Sequence, residues 1–167
     1  MAVDSQRLVI DASVAGATGF GKKDAPLPMD SIACRKFLND VLTICHRMVF
    51  TDKIADEWKR HGSPFARHWR RRMEGKKKVL RVDINDSTML ARIKKRKLEK
   101  PIEAIVNKDA HLVASAIGTD GFVVSLDDRA MNHFRKSVLT EKERRDLVWI
   151  NPRTKGAMSM IAKRKRH

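Results

Sequence analysis

The chain has 167 residues, 42% of them hydrophobic, with 36 Lys and Arg against 20 Asp and Glu and a formal net charge of +16. Length and apolar content specify one globular domain with its own core and exclude a purely disordered basic tail. No apolar run approaches the roughly 20 residues that cross a bilayer, and the start Met1-Ala-Val-Asp-Ser-Gln-Arg7 lacks a secretory signal. A cytoplasmic protein without a membrane partner is expected.

In chain order, the apolar run at 8–10 is read as a buried strand ending on Asp11. Residues 15–29, with Gly16, Gly19, Gly21, Pro26 and Pro28, are read as a loop. Asp30-Ser31 opens a helix reaching about Met48, with Cys34 and Cys45 both inside it. Eleven residues apart, two helical cysteines stand about 16 Å apart along the axis, beyond the roughly 7 Å a disulfide tolerates. Both are read as reduced core residues. A brief strand at 49–51 precedes a helix over 52–61, and Ser63-Pro64 starts another.

Residues 79–82 fit either a strand or a linker. Asp86-Ser87 caps a basic helix to about Lys97, which Pro101 ends. The next helix begins near Ile102 or Asn107 and carries Ala110 to Ile117. Thr119-Asp-Gly121 turns into a strand at 122–126, residues 129–139 are helical, and 147–150 form the last strand. Alternating strands and helices predict an α/β layer fold with a mostly parallel sheet.

Positive charge is clustered. One block holds Arg67, Arg70, Arg71, Arg72, Lys76, Lys77, Lys78 and Arg81, and a second holds Arg92, Lys94, Lys95, Arg96, Lys97 and Lys100. The chain ends Lys163-Arg-Lys-Arg166-His. This is the footprint of a polyanion partner. Trp69, inside the first block, is read as packing rather than as a base-stacking platform.

Against that charge, acids stand where strands and helices end. Asp11 closes the first strand, Asp109 opens the helix before the downstream strand, Asp127 closes that strand, and Glu57 sits on a short helix. Ligands of parallel α/β sheets gather at the carboxyl ends of the strands. Several carboxylates brought together there raise one another's pKa unless a cation joins them. Mg²⁺ suits such oxygen donors.

The order of Asp11-Ala-Ser13, Glu57, Asp109-Ala-His-Leu-Val-Ala-Ser-Ala116 and Phe122-Val-Val-Ser125-Leu-Asp127 resembles the PIN-domain nucleases, the family that includes toxin ribonucleases of toxin–antitoxin pairs. The resemblance covers residues 1–152 as the nuclease domain, with 153–167 as a basic tail. It implies a three-layer α/β/α sandwich and a Mg²⁺- or Mn²⁺-dependent endoribonuclease, toxin or RNA-processing. Asp11, Glu57, Asp109 and Asp127 look like its acidic quartet, with Asp11, Asp109 and Asp127 on the metal. Ser13 and Ser125 look like the hydroxyls that hold a carboxylate or a water. Glu57 competes with Asp56, since adjacent helical residues point about 100° apart. Asp128 competes with Asp127 or caps the next helix. Arg67, Arg70, Arg71, Arg72, Lys76, Lys77, Lys78, Lys94, Lys95 and Arg96 are the expected nucleic-acid contacts. Implied partners are RNA, an antitoxin and a second copy of the chain. Rival readings are a non-catalytic RNA-binding module on this fold and a structure-specific DNA nuclease.

Gly16-Ala-Thr-Gly-Phe-Gly21-Lys22 begins like a phosphate-binding P-loop. Lys23 stands where Ser or Thr must bind Mg²⁺, and Pro26 and Pro28 follow instead of a helix. A glycine loop beside the active site is the better reading. No His or Cys spacing supports zinc, and His111 is read as packed or solvent-facing rather than as a ligand.

Overall fold

The computed structural model describes residues 5–19 and 25–162. Gly21, Lys22 and Lys23 of the glycine-rich segment and the basic residues 163–167 lie outside them. Five parallel strands, β1 (Arg7–Ile10), β2 (Arg47–Phe50), β3 (Val79–Arg81), β4 (Phe122–Val124) and β5 (Val148–Ile150), form one sheet in the order β3-β2-β1-β4-β5. Parallel strands are covered on both faces, so their side chains read as unbroken apolar runs. Leu8, Val9, Ile10, Phe122, Val123 and Val124 are all fully buried.

Each crossover contains a pair of helices: α1 (Ala12–Ala17) and α2 (Met29–Thr43), α3 (Asp52–His61) and α4 (Pro64–Gly75), α5 (Ser87–Lys95) and α6 (Lys100–Ile117), α7 (Asp128–Ser137) and α8 (Glu141–Asp146). The chain winds outward from β1 to β3, then returns past β1 to β4 and β5. Right-handed crossovers place the helices of the two directions on opposite faces. The packing agrees: α1 meets α2, α3 and α4, while α6 meets α5 and α7. The result is a three-layer α/β/α sandwich. Between β1 and β4 the winding reverses, which is where such sheets open a crevice.

Local chemistry explains the helix boundaries. Thr51 accepts the Ile54 N–H at the start of α3, and Ser63 accepts that of Ala66 at the start of α4, with Pro64 in the first turn. Gly121, at φ 81°, supplies the left-handed turn from α6 into β4. On α3 and α4, Trp58 and Trp69 face inward with ring centroids 5.6 Å apart; the Trp69 Nε1 donates to Leu38 O at 2.6 Å. Trp69 is core, as its packing reading required.

Several boundaries differ from the sequence expectation. Helix α1 begins directly after Asp11 and takes in the first three residues of the expected loop. Helix α6 starts at Lys100, so Pro101 belongs to its first turn instead of ending an element. A capping box between Thr140 and Glu143 starts α8, which the sequence reading missed. Helix α2 ends at Thr43, so Cys45 lies past it and is exposed; Cys34 is buried, and neither forms a disulfide. A further helix, α9 (Ala157–Ala162), packs on α2 and β5 with Ile161 fully buried. The packed domain therefore runs past residue 152, where the tail was expected to begin.

Candidate active site

Of the four acids expected at the carboxyl edge, Asp11, Glu57 and Asp109 line one cleft at the β1–β4 crevice. Asp11 follows β1, and its N–H donates to Val124 O at 2.8 Å, joining it to β4. Its Oδ2 accepts two hydroxyls, Ser13 at 2.6 Å and Ser125 at 2.9 Å. The same hydroxyls accept backbone N–H groups from the turn after β4, Leu126 at 3.4 Å and Asp127 at 3.1 Å. Ser13 and Ser125 thus fix one oxygen of Asp11 and tie it to the turn.

Glu57 reaches the cleft because α3 is anchored by its neighbour. Trp58 Nε1 donates to Ile10 O at 2.8 Å, one residue before Asp11. With Trp58 inward, Glu57 lines the cleft, whereas Asp56 is exposed and paired with Arg60 at 2.9 Å. Of the two acids, Glu57 is the one that lines this cleft. Burial raises the pKa of Glu57, but the hydrogen bond and charge of His111, with Lys53 and Arg60, outweigh it, and the net shift is downward. His111 Nε2 lies 2.9 Å from Glu57 Oε2, and His111 is buried. This pair joins α3 to α6. The sequence reading had His111 packed or exposed, and its bond to an acid 54 positions away carries no sequence signal.

Asp109 lies in the middle of α6, which starts at Lys100, and does not open the helix as expected; it is buried with Oδ2 lacking a hydrogen-bond partner. Burial, then the charges of Asp11 and Asp127, push its pKa up to about 7, with Lys108 and His111 opposing. Asp11, Ser13, Glu57, His61, Lys108 and Asp109 line one cleft of about 460 Å³. Gly16 also lines it, and a Cβ there would stand 3.2 Å from His61 O, so glycine lets α1 approach the end of α3.

Asp127 is engaged with the helix that follows it. Its Oδ1 accepts the N–H groups of Arg129 and Ala130, both at 3.1 Å, capping α7. The competing Asp128 accepts Asn151 Nδ2 at 3.1 Å and is exposed. Neither lines the cleft, although Asp127 is near enough to raise the pKa of Asp109. Among the described residues no three His, Cys, Asp or Glu side chains converge to hold one ion. Of the three expected metal carboxylates, Asp11 and Asp109 line the cleft and Asp127 stands outside its lining. Asp11 and Asp109 would offer Mg²⁺ or Mn²⁺ two carboxylates, with waters and phosphate completing the shell, and the Asp109 oxygen that lacks a partner would be one of the donors.

The expected nucleic-acid contacts divide. Arg71, Arg72, Lys76, Lys77, Lys94, Lys95 and Arg96 are exposed. Arg67 is exposed and donates to Gly62 O at 2.9 Å. Arg70 pairs with Glu74 at 2.9 Å and lies 4.6 Å from the Phe50 ring centroid. Lys78 does not face solvent as an RNA contact: its ammonium donates to Val41 O (2.6 Å), Leu42 O (2.9 Å) and Ile44 O, closing the end of α2. Since residues 76–78 precede β3, they sit at the amino edge of the sheet, opposite the carboxylate cleft.

Compared with known proteins, the sequence matches no family model and no curated relative.

Proposed function

We propose that the chain is a divalent-metal-dependent endoribonuclease of the PIN-domain kind, cutting RNA phosphodiester bonds at the Asp11–Glu57–Asp109 cleft. The observation that carries this reading is Asp109 Oδ2, a buried carboxylate oxygen without a partner beside a second carboxylate. Its burial is costly unless a cation or a proton meets it.

Asp11 and Asp109 are the residues to hold Mg²⁺ or Mn²⁺, which when bound supplies stabilisation of phosphate charge and a more acidic water. Ser13 and Ser125 keep Asp11 in one orientation. His111 keeps Glu57 ionised and aimed at the cleft, ready to accept a proton. Lys108 and His61 on the same walls offer donors to a phosphate. The exposed Lys and Arg residues attract the strand. A role as toxin or RNA-processing enzyme, with an antitoxin or a second copy as partner, rests on the resemblance alone.

A second reading, a non-catalytic RNA-binding module, is favoured by one observation: Asp127 caps α7 and leaves the expected acidic set short by one. Incubating the purified chain with single-stranded RNA or DNA, with Mn²⁺, Mg²⁺ or EDTA, separates the readings. Expected is RNA cleavage that needs the metal and falls on the order of 100-fold in Asp11→Asn and in Asp109→Asn. Cleavage that survives EDTA overturns the proposal. Saturable RNA binding without cleavage under any metal establishes the second reading, and preference for DNA moves the substrate.

A further inference from the structure

A second cleft, of about 620 Å³, opens at the same edge of the sheet over β2 and β3. Its lining includes Phe50 and Arg81, register partners at the strand ends, and Asp83, Ile84 and Asn85 from the segment after β3. His111 is the sixth of these residues. Its Nε2 meets Glu57 in the carboxylate cleft, so one side-chain pair stands between the two clefts.

We propose that this cleft is a nucleotide-binding subsite, receiving one nucleotide of a strand whose neighbouring phosphate lies in the carboxylate cleft against Lys108 and His61. The identity of the strand rests on the nuclease reading; the binding of a nucleotide does not.

Four observations converge on it. The volume falls in the range of about 300–1,000 Å³ that small-molecule sites occupy. Arg81 is exposed, lies 5.6 Å from the Phe50 ring centroid, and makes no ion pair among the described residues, so its guanidinium is available to a phosphate. Asp83 and Asn85 are exposed and offer acceptors and an amide donor, the mixture a base edge needs; Asn85 Oδ1 already accepts the Ser87 N–H at 3.1 Å, leaving its NH₂. His111 is 4% exposed, and its Nδ1 has no hydrogen-bond partner. A buried ring nitrogen without a partner is costly, and a ligand in this cleft reaches the wall it forms. Asp52 and Asp86 also line the cleft, Asp86 paired with Lys53 at 3.1 Å, so Arg81 is left to meet a single phosphate and the cleft does not suit a run of them.

The test uses the full chain in EDTA, with isotope-labelled histidine observed by NMR. The four ribonucleoside 5′-monophosphates and a short single-stranded RNA are titrated separately. Expected is a saturable shift of the His111 ring resonances by at least one mononucleotide and, at lower concentration, by RNA. Arg81→Ala and Asn85→Ala, both at exposed positions that leave the core intact, should each weaken that binding about 10-fold. No His111 shift with any ligand, or shifts undiminished in both variants, overturns the subsite. A shift with mononucleotides and none with RNA assigns the cleft to a free nucleotide and overturns its place on the strand. The cleavage assay fails independently: metal-dependent cleavage without a His111 shift removes the subsite and keeps the nuclease, whereas the shift without cleavage does the reverse.

Discussion

Asp109 concentrates the chemistry of this molecule into one side chain. Its carboxyl titrates near 7 in the fold against 3.8 in the open chain, so the unfolded state releases its proton first. Ionisation therefore opposes folding: the cost is absent below about pH 4, grows as pH rises, and is complete above about pH 7. At about 1.36 kcal/mol per pH unit, the cost reaches on the order of 4 kcal/mol. Asp109→Asn is accordingly expected to stabilise the metal-free protein at pH 8 by up to that amount and to change little at pH 4. Urea melts at the two pH values check this, and equal effects at both would contradict it. Asp109 was visible as a candidate in the sequence because an acid opens the largely apolar run 110–117. His111 was not, because its importance comes from Glu57, on a helix in the opposite layer.

At the scale of elements, the same residue type does unlike work according to where its helix or turn lies. Lys78 belongs to a basic block by composition, yet it satisfies three carbonyls at the end of α2. Lys78→Met should cost about 1–3 kcal/mol of stability while leaving the salt dependence of RNA binding as it was. Neutralising Arg71, Arg72, Lys76 and Lys77 together should do the opposite, flattening that dependence with stability held within about 0.5 kcal/mol per site. Binding isotherms across a salt series, paired with melts, separate the two cases. Trp58 makes a comparable point for α3. Trp58→Phe removes its bond to Ile10 O and part of its contact with Trp69, with an expected loss of about 2–4 kcal/mol. Because Glu57 is the next residue back, cleavage should fall further than the folded fraction does, which rate measurements normalised to folded protein will reveal.

For the whole molecule, the chain carries a formal net charge of +16 while Asp11, Glu57 and Asp109 line one cleft with Lys108 and His61 on its walls. If Asp11 and Asp109 hold the ion, Mg²⁺ at about 100 times its dissociation constant adds about 2.7 kcal/mol of stability. For a domain of this size that is a rise in Tm of roughly 5–10 °C. The rise should vanish in the Asp11→Asn, Asp109→Asn double variant, and a rise retained there would place the ion elsewhere. By itself the sequence determined the layer class, the strand-end position of Asp11 and the candidacy of Glu57 and Asp109, because strand and helix periods and terminal polar residues are local properties. Only the tertiary structure decided that Trp58 turns Glu57 rather than Asp56 inward, that Asp127 caps α7, that Lys78 closes α2, and that His111 divides two clefts. Each of those outcomes depends on which distant backbone group or side chain comes within hydrogen-bond reach. That is settled when β1, β4 and the flanking helices pack, and it leaves no trace in residue spacing.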